Sequence, residues 1–259
     1  MLAATIVYFG LLGTAVGSFL NVVADRLPEG GSVVSPRSHC TSCGRQLSAW
    51  ELIPVASYLA LQGRCRTCEA PIGIRSPAVE LTTGLLFGLA AWRIRPGGLA
   101  SWMTLVLTST YLAVLVVCTV TDLERGLILD RVTIPAIGLG LLGALLTGWP
   151  GVLFHLGGGL VGAGTIALII TLVPGGMGWG DAKLAGFIGL VTGLPGALSA
   201  MFLGFVCGGL VAAVLLVTGR AGRGDTVPLG PFLALGGAAV LLYGEKMVHV
   251  FHTWSMLLG

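Results

Sequence analysis

Pro174-Gly175-Gly176-Met177-Gly178-Trp179-Gly180-Asp181-Ala182-Lys183-Leu184 is a glycine-rich turn that ends in an acid and lies between two apolar runs. Charged residues make up 10% of the 259-residue chain, so an aspartate at the lip of a membrane-length segment is a functional candidate. Glycines at 175, 176, 178 and 180 free the backbone to take positive φ and to come close to a bound, extended peptide. The plainer reading is a loop whose aspartate caps the next helix. The residue pattern leaves both open.

On either side of this turn the chain is apolar. Hydrophobic residues reach 55%, with a mean hydropathy of +0.95. Several nearly uncharged windows are long enough to cross a hydrocarbon core of about 30 Å. The expected fold is an all-α polytopic membrane protein in contact with the lipid bilayer. Spans are read at 2–23, 77–92, 99–120, 127–146, 152–173, 182–194, 197–217 and 228–250. The second and sixth are short, so the count is six to eight transmembrane helices. Glycines four apart, at 13/17, 84/88 and 204/208, suit close helix packing, although lipid also tolerates isolated glycine.

Cations set an orientation. With the N-terminus outside, eleven of the fourteen Lys and Arg residues fall on the cytoplasmic side, leaving Arg93, Arg95 and Lys246 opposite. The net charge of +3 then reflects topology and gives no reason to invoke nucleic acid. The first apolar stretch lacks a basic lead and a cleavage site, and is read as a retained span.

After the first span comes the only sizeable polar segment, to about Ser76. It carries Cys40-Thr41-Ser42-Cys43 and Cys65-Arg66-Thr67-Cys68. Two CxxC knuckles offer four thiolates, a tetrahedral set for Zn²⁺. A cytoplasmic loop is a reducing setting, where metal binding is the better account than disulfides. A set of four sulfurs leaves no open position, so the expected role is structural. A redox dithiol pair is the competing reading, and His39 beside the first knuckle is read as an exposed loop histidine. Asn21, Asp25 and Arg26 fall near one face of the first span, as a polar edge or as interfacial solvation. Glu80 sits just inside the second span, where an acid suits a helix start.

Asp122 closes the third span and stands at the same expected membrane depth as Asp181. Two carboxyls about one water apart cannot both ionise cheaply, so one keeps its proton while the other acts as base on that water. This is acid–base hydrolysis without a metal or covalent intermediate. Asp130 competes with Asp122 for the pairing. The two prolines Pro228 and Pro231 are expected to bend the start of the last span near the same face. His155 and His249 lie in or beside apolar runs on the expected outer side, and His252 beyond the last span; all three are read as interfacial. The remaining cysteines, Cys118 and Cys207, lie in spans and have no assigned role.

These stretches together resemble the bacterial prepilin peptidases. The resemblance runs through Gly17-Ser18-Phe19-Leu20-Asn21-Val22-Val23, the two CxxC pairs, Val79-Glu80-Leu81, Asp122 with Asp130, Gly178-x-Gly180-Asp181 with Lys183, and Pro228 to Gly236. It covers nearly the whole chain in order. It implies a membrane aspartic endopeptidase that cuts the basic leader of type IV prepilins or pseudopilins on the cytoplasmic side, after a glycine. Asp122 and Asp181 match the catalytic pair, Gly178 and Gly180 shape the turn, and Lys183 and Asp130 support it. The resemblance also implies N-methylation of the new N-terminus from S-adenosylmethionine, with Gly63 and Glu80 as the candidate residues. It divides the chain into a first transmembrane helix (1–23), a zinc-knuckle loop (24–76) and a transmembrane peptidase core (77–259), in a bacterial inner membrane. One departure stands out: the family's Leu-Pro-Asp is Ile128-Leu129-Asp130 here. The alternatives are an ion- or proton-coupled transporter using the same acids, and a thiol oxidoreductase using the CxxC pairs.

Overall fold

The structure, a computed structural model, describes residues 1–173, 175–220, 222 and 227–257, with side chains to Gly244. Pro174 and most of the basic turn at 220–225 lie outside the described residues, as do the side chains of His249 and His252. Among the described residues the secondary structure is helical, and only isolated bridges pair His39 with Gln46 and Arg64 with Pro71. Helix is what an apolar chain must adopt in lipid, because no water is there to satisfy its backbone. The chain forms two compact units, residues 1–117 and 118–259.

The first unit holds α1 (Leu2–Arg26), the short α2 (Ala56–Ala60), α3 (Arg75–Ile94) and most of α4 (Leu99–Arg125). Helices α1 and α3 run antiparallel along a seam of small residues. A Cβ on Gly13 would lie 2.7 Å from the Thr83 carbonyl oxygen, and one on Gly17 would lie 2.7 Å from the Glu80 Cα. One turn further, Asn21 donates from Nδ2 to the Ser76 carbonyl at 3.2 Å, and the Arg75 guanidinium meets Asp25 at 2.7 Å. The polar edge read at Asn21 and Asp25 is thus part of the α1–α3 contact.

The second unit holds the end of α4, then α5 (Asp130–Leu146), α6 (Gly151–Leu172), α7 (Trp179–Val217) and α8 (Gly230–Leu257). Four helices, α1, α4, α6 and α7, are long and apolar enough to cross a membrane by length and composition. At 39 residues, α7 would be roughly 58 Å long if straight, about twice a hydrocarbon core. It is not straight. Gly193 takes φ 74° and ψ 175°, followed by Pro195. The two halves return along the same stretch of α8. Ile188 lies against Gly237, and Ala200, twelve residues later, lies against the adjacent Gly236. The chain therefore doubles back at Gly193, and 182–194 and 197–217 are separate passes, as the hydropathy suggested. Only glycine takes this turn without strain. His155 of α6 stands beside it, its Nδ1 donating to the Leu190 carbonyl at 2.8 Å.

Helix α6 and the first half of α7 pack backbone to backbone. A Cβ on Gly189 would lie 2.0 Å from the Gly158 carbonyl oxygen, and one on Gly162 would lie 2.3 Å from that of Ala185. The glycines at 204 and 208 pack on Phe232 and Leu233 more loosely, at 3.1–3.3 Å. The tightest seam therefore pairs glycines four apart on both helices, Gly158 and Gly162 on α6 with Gly189 and Gly193 on α7, pairs that the sequence reading did not single out. Gly189→Ala is expected to cost roughly 1–3 kcal/mol by overpacking against backbone that cannot rotate away. A thermal melt in detergent checks it: an unchanged melting temperature would mean the two helices are not in contact.

Candidate active site and metal centre

Four helix ends of the second unit meet. Helix α4 stops because Gly126, at φ 63°, returns its N–H to the Asp122 carbonyl at 2.9 Å in a left-handed cap. This leaves Asp122 on the last turn of α4, buried at 7% exposure, one turn beyond buried Cys118. An acid at a helix C-terminus faces the unfavourable end of the dipole. The compensation comes from a distant segment. The Gly230 N–H, at the start of α8, donates to Asp122 Oδ2 at 2.9 Å.

Asp181 stands in the first turn of α7, whose N-cap is Gly178. Its Oδ2 accepts the Gly178 N–H at 3.1 Å, while its own N–H bonds the Gly178 carbonyl at 3.1 Å. The capping geometry of the plainer sequence reading is thus present. It occupies only one carboxylate oxygen. Oδ1 is buried without a hydrogen-bond partner, and Asp181 lies within electrostatic reach of Asp122. A cap alone gives no reason to bury an acceptor unpaired.

Asp130 and Lys183 form a separate pair. Lys183 Nζ lies 2.6 Å from Asp130 Oδ1, with both side chains substantially exposed. The pair ties the start of α5 to the first turn of α7. Gly180 serves the same junction: a Cβ there would lie 2.9 Å from that of Ile128. Leu129 supplies the N-cap of α5 in extended geometry, its carbonyl accepting from Val132 and Thr133. The turn that the missing proline would have stiffened is made without it. Gly230 was legible in the sequence only as part of a motif. The prolines around it do not bend α8: Pro228 precedes the helix and Pro231 is its second residue.

In the first unit the four cysteines converge, their Sγ atoms all within 4.8 Å of one another. Cys40 and Cys68 are 3.8 Å apart. Zinc–sulfur bonds of about 2.3 Å in a tetrahedron place sulfurs about 3.8 Å apart, so the set fits a four-thiolate ion. Each knuckle repeats one pattern: the Cys40 N–H bonds the Arg45 carbonyl and the Cys65 N–H that of Ala70, both at 2.9 Å. The amides of Cys68 and Thr67 bring the Cys65 thiol down to about 6. The Ala70 amide acts the same way on Cys68, but burial and the neighbouring thiols carry that group up to about 11. Between the knuckles, Arg45 grips Glu51 with two hydrogen bonds of 3.0 and 2.6 Å. That guanidinium, with Ser48, holds the Glu51 carboxyl well below the usual carboxylate range. The Arg66 guanidinium lies over the Trp50 ring at 5.2 Å.

Glu80 and Gly63 are placed apart from any helix cap. Glu80 is buried at the α1–α3 seam, where its Oε2 accepts the Val55 N–H at 2.7 Å. Val55 is held at φ 60°, unusual for a β-branched residue. Gly63, at φ 68°, backs onto Tyr58, whose hydroxyl would be 2.9 Å from an added Cβ. Nearby on α1, Asn21 Oδ1 is buried without a partner.

Comparison with known proteins agrees with this division. Residues 11–94 match the Bacterial Peptidase A24 N-terminal domain, and residues 109–214 match the Type IV leader peptidase family. The prepilin leader peptidase/N-methyltransferase of Pseudomonas aeruginosa is 34% identical over 269 residues, covering 93% of this chain and 91% of that protein. The protein of the same name from Bacillus subtilis is 32% identical over 248 residues, covering 93% and 95%. No solved structure matches the chain.

Proposed function

The chain belongs to the type IV leader peptidase family, and from that premise we propose a membrane enzyme with two activities, cleavage of prepilin leaders and N-methylation of the new N-terminus. The observation that supports the first is the pair of acids in the second unit. Each is held by one backbone N–H at a helix N-terminus, and Asp181, its Oδ1 buried without a partner, lies within electrostatic reach of Asp122.

Asp122 and Asp181 are the proposed catalytic residues. One carboxylate takes a proton from the water between them as that water attacks the scissile carbonyl. The other, protonated, donates to the carbonyl oxygen; as the tetrahedral carbon collapses it takes a proton back from oxygen, and the first carboxyl passes the proton taken from water to the departing amine. Gly178 and Gly180 let the turn approach the substrate backbone, and Lys183 with Asp130 fixes α5 against it. The leader is basic and is cut after a glycine on the cytoplasmic side of the bacterial inner membrane. That orientation follows from the cation bias. The acids of a transporter reading stand here in one cluster at helix ends, and the comparisons lend that alternative no support.

The four cysteines hold a structural Zn²⁺ that keeps the loop folded. For methylation, buried acceptor groups suit a cationic donor. Buried Glu80 and the unpartnered Asn21 oxygen supply acceptors at the α1–α3 seam, and with Gly63 of the knuckle loop they are the residues proposed to serve S-adenosylmethionine. That donor supplies a methyl group on a sulfonium. The protein's own part is to hold it and to leave the substrate amine unprotonated.

Purified protein in detergent, incubated with a model prepilin, tests the reading. Mature pilin is expected, heavier by one methyl group only when S-adenosylmethionine is added. Absence of cutting with any prepilin would reject the peptidase reading, and an unmethylated product would reject the second activity alone.

A further inference from the structure

We propose that Gly230 is a positioning residue for catalysis, its backbone amide fixing the Asp122 carboxylate as the Gly178 amide fixes that of Asp181. The inference rests on the two-aspartate reading above. Leu229, just before α8, accepts from both Phe232 and Leu233 through its carbonyl. Pro231 has no N–H. Among the first four backbone nitrogens of α8, only Gly230 therefore has a proton to direct outward, and it points at Asp122 Oδ2 from 108 residues away in sequence.

The approach tolerates nothing larger. A Cβ at position 230 would lie 2.6 Å from Asp122 Oδ2 and 3.1 Å from its Cγ. Glycine is required here for space and not for φ, because its φ is not among the positive ones. The two carboxylates then share a logic. Each gives one oxygen to a backbone N–H at a helix N-terminus, from α8 for Asp122 and from α7 for Asp181. Each keeps its second oxygen for the water between them. Without the Gly230 amide, Asp122 is free to rotate about its side-chain bonds, and the pair loses the register in which one water touches both.

Two replacements separate the hydrogen bond from the space. Gly230→Ala keeps the N–H but pushes a methyl group into the carboxylate. Incorporation of the α-hydroxy acid of glycine at 230 turns the amide into an ester, which deletes the N–H and adds no atoms. Both are expected to lower kcat for a model prepilin by about 10²-fold, as for an ångström-scale misplacement of a reacting group, with KM unchanged. Gly237→Ala, on the same helix as Gly230, crowds Ile188 of α7 at 3.1 Å and is expected to lower the melting temperature and leave kcat intact. If the ester variant keeps full kcat while Asp122→Asn is inactive, the positioning role is wrong and the dyad stands. Normal cutting by Asp122→Asn would remove the dyad reading itself. A Gly230→Ala protein too unstable to purify leaves the decision to the ester variant, whose kcat alone then upholds or overturns the role.

Discussion

Asp122→Asn and Asp181→Asn should each lower prepilin cleavage by roughly 10²–10⁴-fold or more, the range supplied by a positioned acid or base. The asparagines keep the size of the carboxylates and can still accept the Gly230 and Gly178 amides through their carbonyl oxygens. What they cannot do is exchange a proton with water. Loss of cutting with unchanged melting temperature therefore reports chemistry and not folding. Asp130→Asn is the informative contrast. Its carboxylate meets Lys183 in an exposed pair of a kind worth about 0–1 kcal/mol, and cleavage should persist. The reverse pattern, with Asp130→Asn inactive and Asp122→Asn active, would transfer the catalytic role to the exposed pair.

Removing the metal should unfold the knuckle loop. Over residues 28–74 the buried positions are Glu51, Gly63 and Cys65, and no aliphatic side chain is among them. A segment of this length with no apolar core needs another source of stability. Structural zinc supplies an apparent binding energy of about 10–16 kcal/mol. Chelation, or Cys65→Ser, should therefore expose Arg45, Arg64 and Arg66 to trypsin and abolish methylation, with a smaller loss of cleavage because the proposed dyad belongs wholly to the second unit. Zinc content by mass spectrometry and the tryptic pattern read the outcome, and an apo loop that resists trypsin would defeat the metal reading. Acid provides a second route. Glu51 has its carboxyl held down by Arg45, so the contribution of this pair is present above the ordinary glutamate pKa and fades only as pH falls through the lower folded value. Protonation of the thiolates comes first, so metal should leave while the Arg45–Glu51 clamp is still closed.

Much of this architecture is written in local patterns. Membrane spans follow from composition, because lipid leaves an apolar chain no alternative to helix, and the double pass of α7 was readable as two apolar runs around Gly193 and Pro195. The two CxxC knuckles were equally legible, since each is made by neighbours in sequence and two such pairs have few other uses. Asp181 could be picked out because scarcity of charge marks it, and its glycine-rich turn is contiguous.

Other features depend on residues far apart in the chain, and only the tertiary structure brings them together. Asp122 and Asp130 are eight residues apart, and pattern ranks Asp122 first as the partner of Asp181 without excluding Asp130. Folding separates them: one is buried under the Gly230 amide, the other exposed on Lys183. Glu80 reads as a helix-start acid, yet it is buried and bonded to Val55, 25 residues away in the knuckle loop. The Gly158–Gly189 seam has the same origin. Sequence determines which groups this protein possesses and which segments enter the membrane, because helix formation and apolar burial are governed by neighbours. Which carboxylate meets which amide is a matter of how helix ends converge, and that is decided by packing between segments a hundred residues apart.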